Sequence, residues 1–440
     1  MSHLSPVDQK IEIQGHGIKI SNALKSELQQ EGYYPVALTW LGDNITGPFS
    51  FTGYGDNSPF ELRKDEGQYQ VYRDGKYFSD VSFYKKPKFW DRQWSLNNNE
   101  DGTFFVDEGM SGVITPCTGD KVITPCTGGC VDNKGLIPEN DDVLRITGGK
   151  FPYVTLACYN GLAIWPSYGC LYTKQKNPCR FCCIPGDFDE SRVLIEKEGW
   201  LDGVVSAFEA ALEELGDDIT NCSLTLDAGT LPGRDKGAWA YIKVLEAIKA
   251  RIGELPKTIY TRAVIEPPYD EETLYRLRDA GFTSLQCDID VYDDIERVNL
   301  MPNAKGKRPI EDYVRILSKA KEIFPGEVAT QLVAGIQKDE NLLKGVERFA
   351  SVGIPTLLTP FLPFGQGYLL TKQGLAEVPS PDKMRRIYAQ AAEILTRNNV
   401  PAPEFRGGVS SLAETMGKRL ERVPSLTNSS PNKITKEVVA

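Results

Sequence analysis

Tyr168-Gly169-Cys170-Leu171-Tyr172-Thr173-Lys174-Gln175-Lys176-Asn177-Pro178-Cys179-Arg180-Phe181-Cys182 sets three cysteines at the spacing C-x8-C-x2-C, with an aromatic inside the closer pair. Thiolate is the usual ligand of iron–sulfur clusters, so three on one loop suffice for three irons of a [4Fe–4S] cube. The fourth iron then lacks a protein ligand and stays open to a small molecule. Two blander readings compete. One is a structural zinc site completed by Cys182 or Cys183, but zinc knuckles supply a second Cys pair or a His at short spacing. The chain has only two histidines, His3 and His16, both far upstream. The other is a disulfide staple, which fits poorly with a chain that reads as cytosolic and shows no signal-peptide pattern.

What surrounds this loop decides between them. From residue 151 short apolar strands alternate with amphipathic helices, the βα rhythm of a parallel sheet. Val204, Phe208, Ala211, Leu212 and Leu215 share one helical face. Strands are expected at Ser223–Leu226, Thr258–Ile265, Ser284–Val291, Val328–Ile336 and Pro355–Pro360, with a further strand before Cys170. The helices between them include one ending at Gly281, then Tyr313–Ile323 and Leu342–Ala350. That makes six βα units, short of an eight-fold barrel. Beyond Pro363 the pattern stops. Ser380-Pro381-Asp382 is a helix start, a capping serine followed by Pro in the first turn, for a helix reaching about Asn398.

Upstream, residues 1–110 read as β-rich. Ile11-Glu12-Ile13 and Ile18-Lys19-Ile20 alternate, and Gln68–Tyr72 meets Lys76–Phe78 across Arg73-Asp74-Gly75 as a hairpin. Aromatic side chains are dense there, as an aromatic core would require. Residues 111–150 contain a nine-residue repeat, Val113-Ile114-Thr115-Pro116-Cys117-Thr118-Gly119 and Val122-Ile123-Thr124-Pro125-Cys126-Thr127-Gly128, with Cys130 close behind. Cys117, Cys126 and Cys130, with Cys158 as a fourth, are candidates for an auxiliary cluster or metal ion; the alternative is a duplicated turn with buried thiols. The organisation expected is therefore a β-rich domain over 1–110, a Cys/Gly/Pro-rich connector over 111–150, a partial α/β barrel over 151–370, and a helical extension with a mobile tail over 371–440.

Composition narrows the function. The 440 residues carry a net charge of −10 with 60 acidic and 50 basic side chains, which argues against a nucleic-acid footprint. No apolar run is long enough to cross a bilayer. Ten cysteines in a cytosolic chain point to metal or redox chemistry. With no histidine after His16, acid–base work in the barrel falls to Asp, Glu, Lys, Tyr or Cys.

Taken together, residues 151–370 resemble the radical S-adenosylmethionine superfamily, whose usual motif is C-x3-C-x2-C after the first strand; here the first gap is eight residues. The resemblance implies a partial (β/α)6 barrel, with Cys170, Cys179 and Cys182 on a [4Fe–4S] cluster and Phe181 near the adenine. Asp227-Ala228-Gly229-Thr230 stands where the family binds the methionyl amino group, although it is not Gly-Gly-Glu. Asp290, or else Asp288, takes the place of the acidic residue at the ribose, and Gly335 and Ile336 that of the loop carrying the adenine. Thr359–Pro363 looks like the end of the sixth strand, at the substrate mouth. The implied activity is reductive cleavage of S-adenosylmethionine to a 5′-deoxyadenosyl radical that takes hydrogen from a substrate, with a flavodoxin or ferredoxin as electron donor. No residue of the sequence assigns the substrate; a small molecule is the expectation, a peptide the variant. A cobalamin role is disfavoured, since Gln14-Gly15-His16-Gly17 lacks the Asp-x-His-x-x-Gly pattern. A non-catalytic iron–sulfur or zinc scaffold is the reading from another class.

Overall fold

Six strands pair in parallel and in chain order: Gly161–Ile164, Ser223–Asp227, Tyr260–Val264, Ser284–Gln286, Val328–Ala334 and Thr356–Pro360. Thr155–Cys158 adds an antiparallel edge strand beside the first, giving a seven-stranded sheet. The computed structural model describes residues 150–158, 161–167, 170–182, 198–215, 223–255, 259–361, 367–405 and 408–417. It also describes shorter pieces upstream, at 8, 11–12, 21, 23–24, 27, 33–40, 59–65, 68–85, 93–98, 104–107, 113–114, 121–124 and 129–132. The tail expected to be mobile lies outside these residues. Among them, no helix is long and apolar enough to cross a membrane.

Alternation along the strands sorts the core into two faces. Leu224, Leu226, Ala263, Leu285, Cys287, Leu332 and Leu358 join one cluster with helices Trp200–Leu215, Ala238–Ile252, Ile310–Ile323 and Asp339–Ala350. The other face carries Thr225, Asp227, Arg262, Gln286 and Asp288, so the concave side is polar. Near its lower end Arg262, 1% exposed, pairs with Glu327 at 3.0 Å. The fold is thus the α/β partial barrel that the rhythm of the sequence predicts. Each strand ends at one rim, where chain turns bring side chains together.

Two expectations change. Ile11 and Glu12 are helical rather than strand. Ile11 packs into the barrel's core, while Glu12 accepts from Arg73 at 3.2 Å and Arg385 at 2.7 Å. Alternation suits a strand, but Ile11 and Glu12 meet their different partners equally well from a helix. Ile18–Ile20 lie outside the described residues. The fourth strand stops at Gln286, and only Asp290 returns to the sheet, in an isolated bridge with Leu332. Asp290 bonds the neighbouring strand through its backbone but takes a left-handed φ of 61°, which a continuing strand does not adopt, and its carboxylate pairs with Lys305.

The expected hairpin forms between Gln68–Arg73 and Lys76–Lys85, with Asp74 and Gly75 both at positive φ (50° and 76°), as a two-residue I′ turn needs. These strands join Phe60–Asp65 and Tyr33–Trp40 in one antiparallel sheet. In a second sheet Lys150–Pro152 pairs with Gln93–Asn98, and Val113–Ile114 of the first repeat pairs with Phe104–Phe105. Lys121–Thr124 of the second repeat pairs with Gly129–Asp132.

The C-terminal helix runs Pro381–Arg397, with Ser380 Oγ accepting from Lys383 N at 3.3 Å and Arg385 bridging Asp8 and Glu12. Ser380→Ala is expected to cost about 1 kcal/mol, with Ser380→Asp restoring it; the shift of the urea midpoint checks this.

Candidate active site

Cys170 follows the first strand and stands at the start of a short helix, Leu171–Lys174. The amides of Thr173 and Lys174 donate to its carbonyl, at 3.0 and 3.1 Å. The eight-residue gap is therefore partly helical, and its far end is pinned from outside. Asn177 Nδ2 donates to Pro302 O at 3.0 Å, and Asn303 Nδ2 donates back to Asn177 O at 3.1 Å. The same Asn303 amide reaches Cys179 Sγ at 3.4 Å, while its Oδ1 accepts from Lys305 N at 2.9 Å to cap the next turn. Arg180 N donates to Leu300 O at 2.8 Å, and Cys182 N to Cys179 O at 3.0 Å.

The near end is held by the second strand. Leu171 N donates to Thr230 O at 2.7 Å, so the Asp227–Thr230 turn and the cysteine loop form one unit. Beneath them lies a buried network that sequence reasoning missed. Glu266, just past the third strand, accepts from Tyr172 Oη at 2.7 Å and Thr230 Oγ1 at 3.0 Å, and pairs with Lys236 Nζ at 2.9 Å. Burial, then the Glu266 charge, push the Tyr172 phenol far above its usual range. The Glu266 and Lys236 side chains are only 1% and 5% exposed. Lys236 also sits at a left-handed φ of 57°.

At the fourth strand, Asp290 is left-handed too, φ 61°, and pairs with Lys305 Nζ at 2.5 Å. Burial works to lower the Lys305 ammonium, but Asp290 and the Cys179 thiol hold it well above its usual value. Gln337 fixes this turn, donating to Asp290 O at 3.1 Å and accepting from Tyr292 N at 2.9 Å. Asp288 takes one bond, from Gln286 Nε2 at 2.8 Å. Burial, then the Asp290 charge, raise its carboxyl to about 7. Gln286 Oε1 and Thr225 Oγ1 are buried with no hydrogen-bond partner among the described residues.

Past the fifth strand Gly335 has φ 97°, and a Cβ there would run into Glu377 O, whose own N–H donates to Gly335 O at 2.9 Å. Glycine is required by this close approach. Ile336 packs with Val291, Met301, Val333 and Phe361 in a small apolar cluster, and Cys179 and Phe181 rest against it. All the expected site residues of the barrel thus gather at one rim. The auxiliary set does not enter the picture: Cys117, Cys126 and Cys183 lie outside the described residues, Cys130 is in the strand Gly129–Asp132, and Cys158 ends the edge strand.

Cys170, Cys179 and Cys182 are thiols, each partly accessible, whereas Cys287 is buried in the sheet. Burial raises the Cys170 thiol and lifts that of Cys179 to about 12, with Lys305 and Asn303 pulling the latter down. Among the described residues, no three Cys, His, Asp or Glu side chains close on a point as around a single ion. Three thiols on one loop fit, in number and donor type, the demand of a cluster that spreads its ligands over several irons. Metal must displace their protons, and the Lys305 charge favours that step.

No protein-family model matches the chain, and no curated protein matches it. Among solved structures it is similar to coproporphyrinogen III oxidase from Escherichia coli, described as a radical SAM enzyme: 16% identity over 50% of this chain and 50% of that one, TM-score 0.34. It is also similar to methylornithine synthase, at 15% identity over 58% of this chain and 69% of that one, TM-score 0.41. A third is a maturase of the [FeFe]-hydrogenase, at 13% identity, 57% and 54% coverage, TM-score 0.40. The chain spans about half the length of the first and third.

Two outcomes follow from the buried groups. Lys236→Met leaves Glu266 charged and buried and is expected to cost about 3 kcal/mol, most of it recovered in Lys236→Met/Glu266→Gln; denaturant midpoints decide. For Asp288 the folded value lies above the unfolded one of about 3.9. The proton is therefore held more tightly in the fold, and stability falls as pH rises from about 4 through 7. Asp288→Asn should match the parent at pH 4 and exceed it at pH 8, as midpoints at the two pH values will show.

Proposed function

We propose that this chain is a radical S-adenosylmethionine enzyme acting on a polar small molecule. The observation that carries this is the seating of the Cys170–Cys182 loop at the barrel rim, bonded to the turn Asp227–Thr230 and, through Asn303, to the turn whose Lys305 pairs with Asp290. Cys170, Cys179 and Cys182 would hold a [4Fe–4S] cluster, which when bound would supply the electron for reductive cleavage of S-adenosylmethionine.

The chain's own residues do the rest. Asn303 fixes Cys179 by its amide, and Thr230 fixes the helix that starts at Cys170. Phe181, on the apolar cluster with Ile336, offers a flat wall for the adenine. The Asp227–Thr230 turn offers small residues and carbonyls to the methionyl ammonium. Asp290 is locked on Lys305, so its remaining lone pairs face a ribose from a fixed position. Asp288, poised near neutrality, holds or gives a proton at Oδ1 or Oδ2. The buried acceptors Gln286 Oε1 and Thr225 Oγ1 suit a substrate rich in hydrogen-bond donors. A cytoplasmic setting keeps the thiols reduced.

The test is anaerobic reconstitution with iron and sulfide, dithionite and S-adenosylmethionine, with 5′-deoxyadenosine read by mass and iron counted per chain. Product with about four irons is expected, and about eight if the upstream cysteines hold a second cluster. Cys182→Ala should abolish both readings and Cys183→Ala neither. Bound zinc without product would leave a metal-stapled scaffold.

A further inference from the structure

The residues between Cys170 and Cys179 turn one phenol inward: Tyr172 is 2% exposed, although thiolate ligation by itself needs no buried hydroxyl there. That hydroxyl donates to Glu266 Oε2 at 2.7 Å and accepts from Lys236 Nζ at 3.2 Å, so its direction is fixed twice. The same Oε2 accepts from Thr230 Oγ1 at 3.0 Å, and Oε1 faces Lys236 Nζ at 2.9 Å. One carboxylate oxygen thus joins the cysteine loop to the turn Asp227–Thr230, beside the backbone bond from Leu171 N to Thr230 O. Glu266 is itself held on both sides in the chain. Arg308 donates to the carbonyls of Pro267 and Pro268, the latter at 2.9 Å, and Tyr241 Oη donates to Val264 O at 2.9 Å. Lys236 lies over the rings of Tyr172 and Tyr269, 5.7 and 4.6 Å from their centroids.

We propose that Tyr172 and Glu266 are positioning residues for S-adenosylmethionine, setting the distance between the cysteine loop and the turn that receives its methionyl ammonium. Their purpose rests on the radical-enzyme reading; their geometry rests on the bonds alone. A ligand gripped at two places binds tightly only where both already stand at the right separation, because ordering them on binding costs affinity. Stability does not account for the network. A buried ion pair adds little over apolar side chains of like volume. What apolar packing lacks is direction, and a bonded polar network supplies it by fixing one arrangement. Glu266 needs no contact with the ligand; it acts through Tyr172 on the loop and through Thr230 on the turn. Lys236 keeps the carboxylate charged while leaving Oε2 to those two donors.

The experiment uses the full chain and Tyr172→Phe, which keeps the ring and removes the hydroxyl. Hydrogen exchange of the cluster-free chain, read by mass, should quicken in the variant over both 171–177 and 227–231. After reconstitution, equilibrium dialysis with radiolabelled S-adenosylmethionine should show binding at least about tenfold weaker, the scale of a bond lost from a buried charged group. Iron per chain and the paramagnetic spectrum of the reduced cluster without the compound should match the parent. Lys236→Met/Glu266→Gln, which keeps an acceptor for both donors, should bind the compound more tightly than Lys236→Met/Glu266→Leu, which keeps none. Equal affinity in Tyr172→Phe and the parent would overturn the proposal. So would faster exchange confined to 171–177, or iron lost together with affinity, since Tyr172 would then only support the thiols. If the parent itself binds no S-adenosylmethionine, the enzyme reading fails, and the exchange result still decides whether Glu266 links loop and turn.

Discussion

Eight residues separate the first thiol from the second, and the bonds within that gap, such as Asn177 N to Tyr172 O at 2.8 Å, fold the loop without fixing either thiol on the barrel. The structure meets this constraint from outside the loop. Thr230 grips the near end through Leu171 N, and Asn303 grips the far end through Asn177 and Cys179 together. Each grip is itself anchored. Thr230 stands on Glu266, neutralised by Lys236, and Asn303 caps the turn whose Lys305 neutralises Asp290. The cysteine loop is therefore a shared product of the second, third and fourth strand ends rather than a self-contained knuckle.

This arrangement explains why the barrel's concave face is so heavily charged. Buried ion pairs give little net stability, and breaking one is costly, so they act mainly to fix geometry. Here Lys236–Glu266 and Lys305–Asp290 each fix one side of the loop. The left-handed conformations of Lys236 and Asp290 fit the same account, because strain at such positions persists only where neighbours over-determine it. Asp288, two residues before Asp290 and bonded to Gln286, is a carboxyl of this rim poised near neutrality.

Much of this was legible beforehand. The six strands follow from apolar runs at regular intervals, and the C-terminal helix from Ser380 and Pro381, because those signals are local. The cysteines and the Asp227–Thr230 turn were legible because their residue types carry chemistry by themselves. What the sequence hid is long-range. Glu266 and Lys236 look like ordinary loop residues until Tyr172, 94 positions from Glu266, is seen to close on them. Asn303 lies 124 positions from the thiol it touches. The fourth strand read five residues too long at its end, since alternation alone cannot show that Asp290 turns left-handed and hands its carboxylate to Lys305. Ile11 and Glu12 misled for a related reason: their partners are distant in the chain, the barrel core for Ile11 and Arg73 and Arg385 for Glu12, 61 and 373 positions away.

The central claim is that three thiolates leave one iron open to a small molecule. The most direct measurement is the electron paramagnetic resonance spectrum of the reduced, reconstituted protein with and without S-adenosylmethionine carrying a 15N-labelled amino group. A changed g-tensor together with hyperfine coupling to that nitrogen is predicted, since the amino group would then sit on the open iron. A spectrum unaltered by the compound, without coupling, would contradict the account and mean that the fourth iron is already taken by protein.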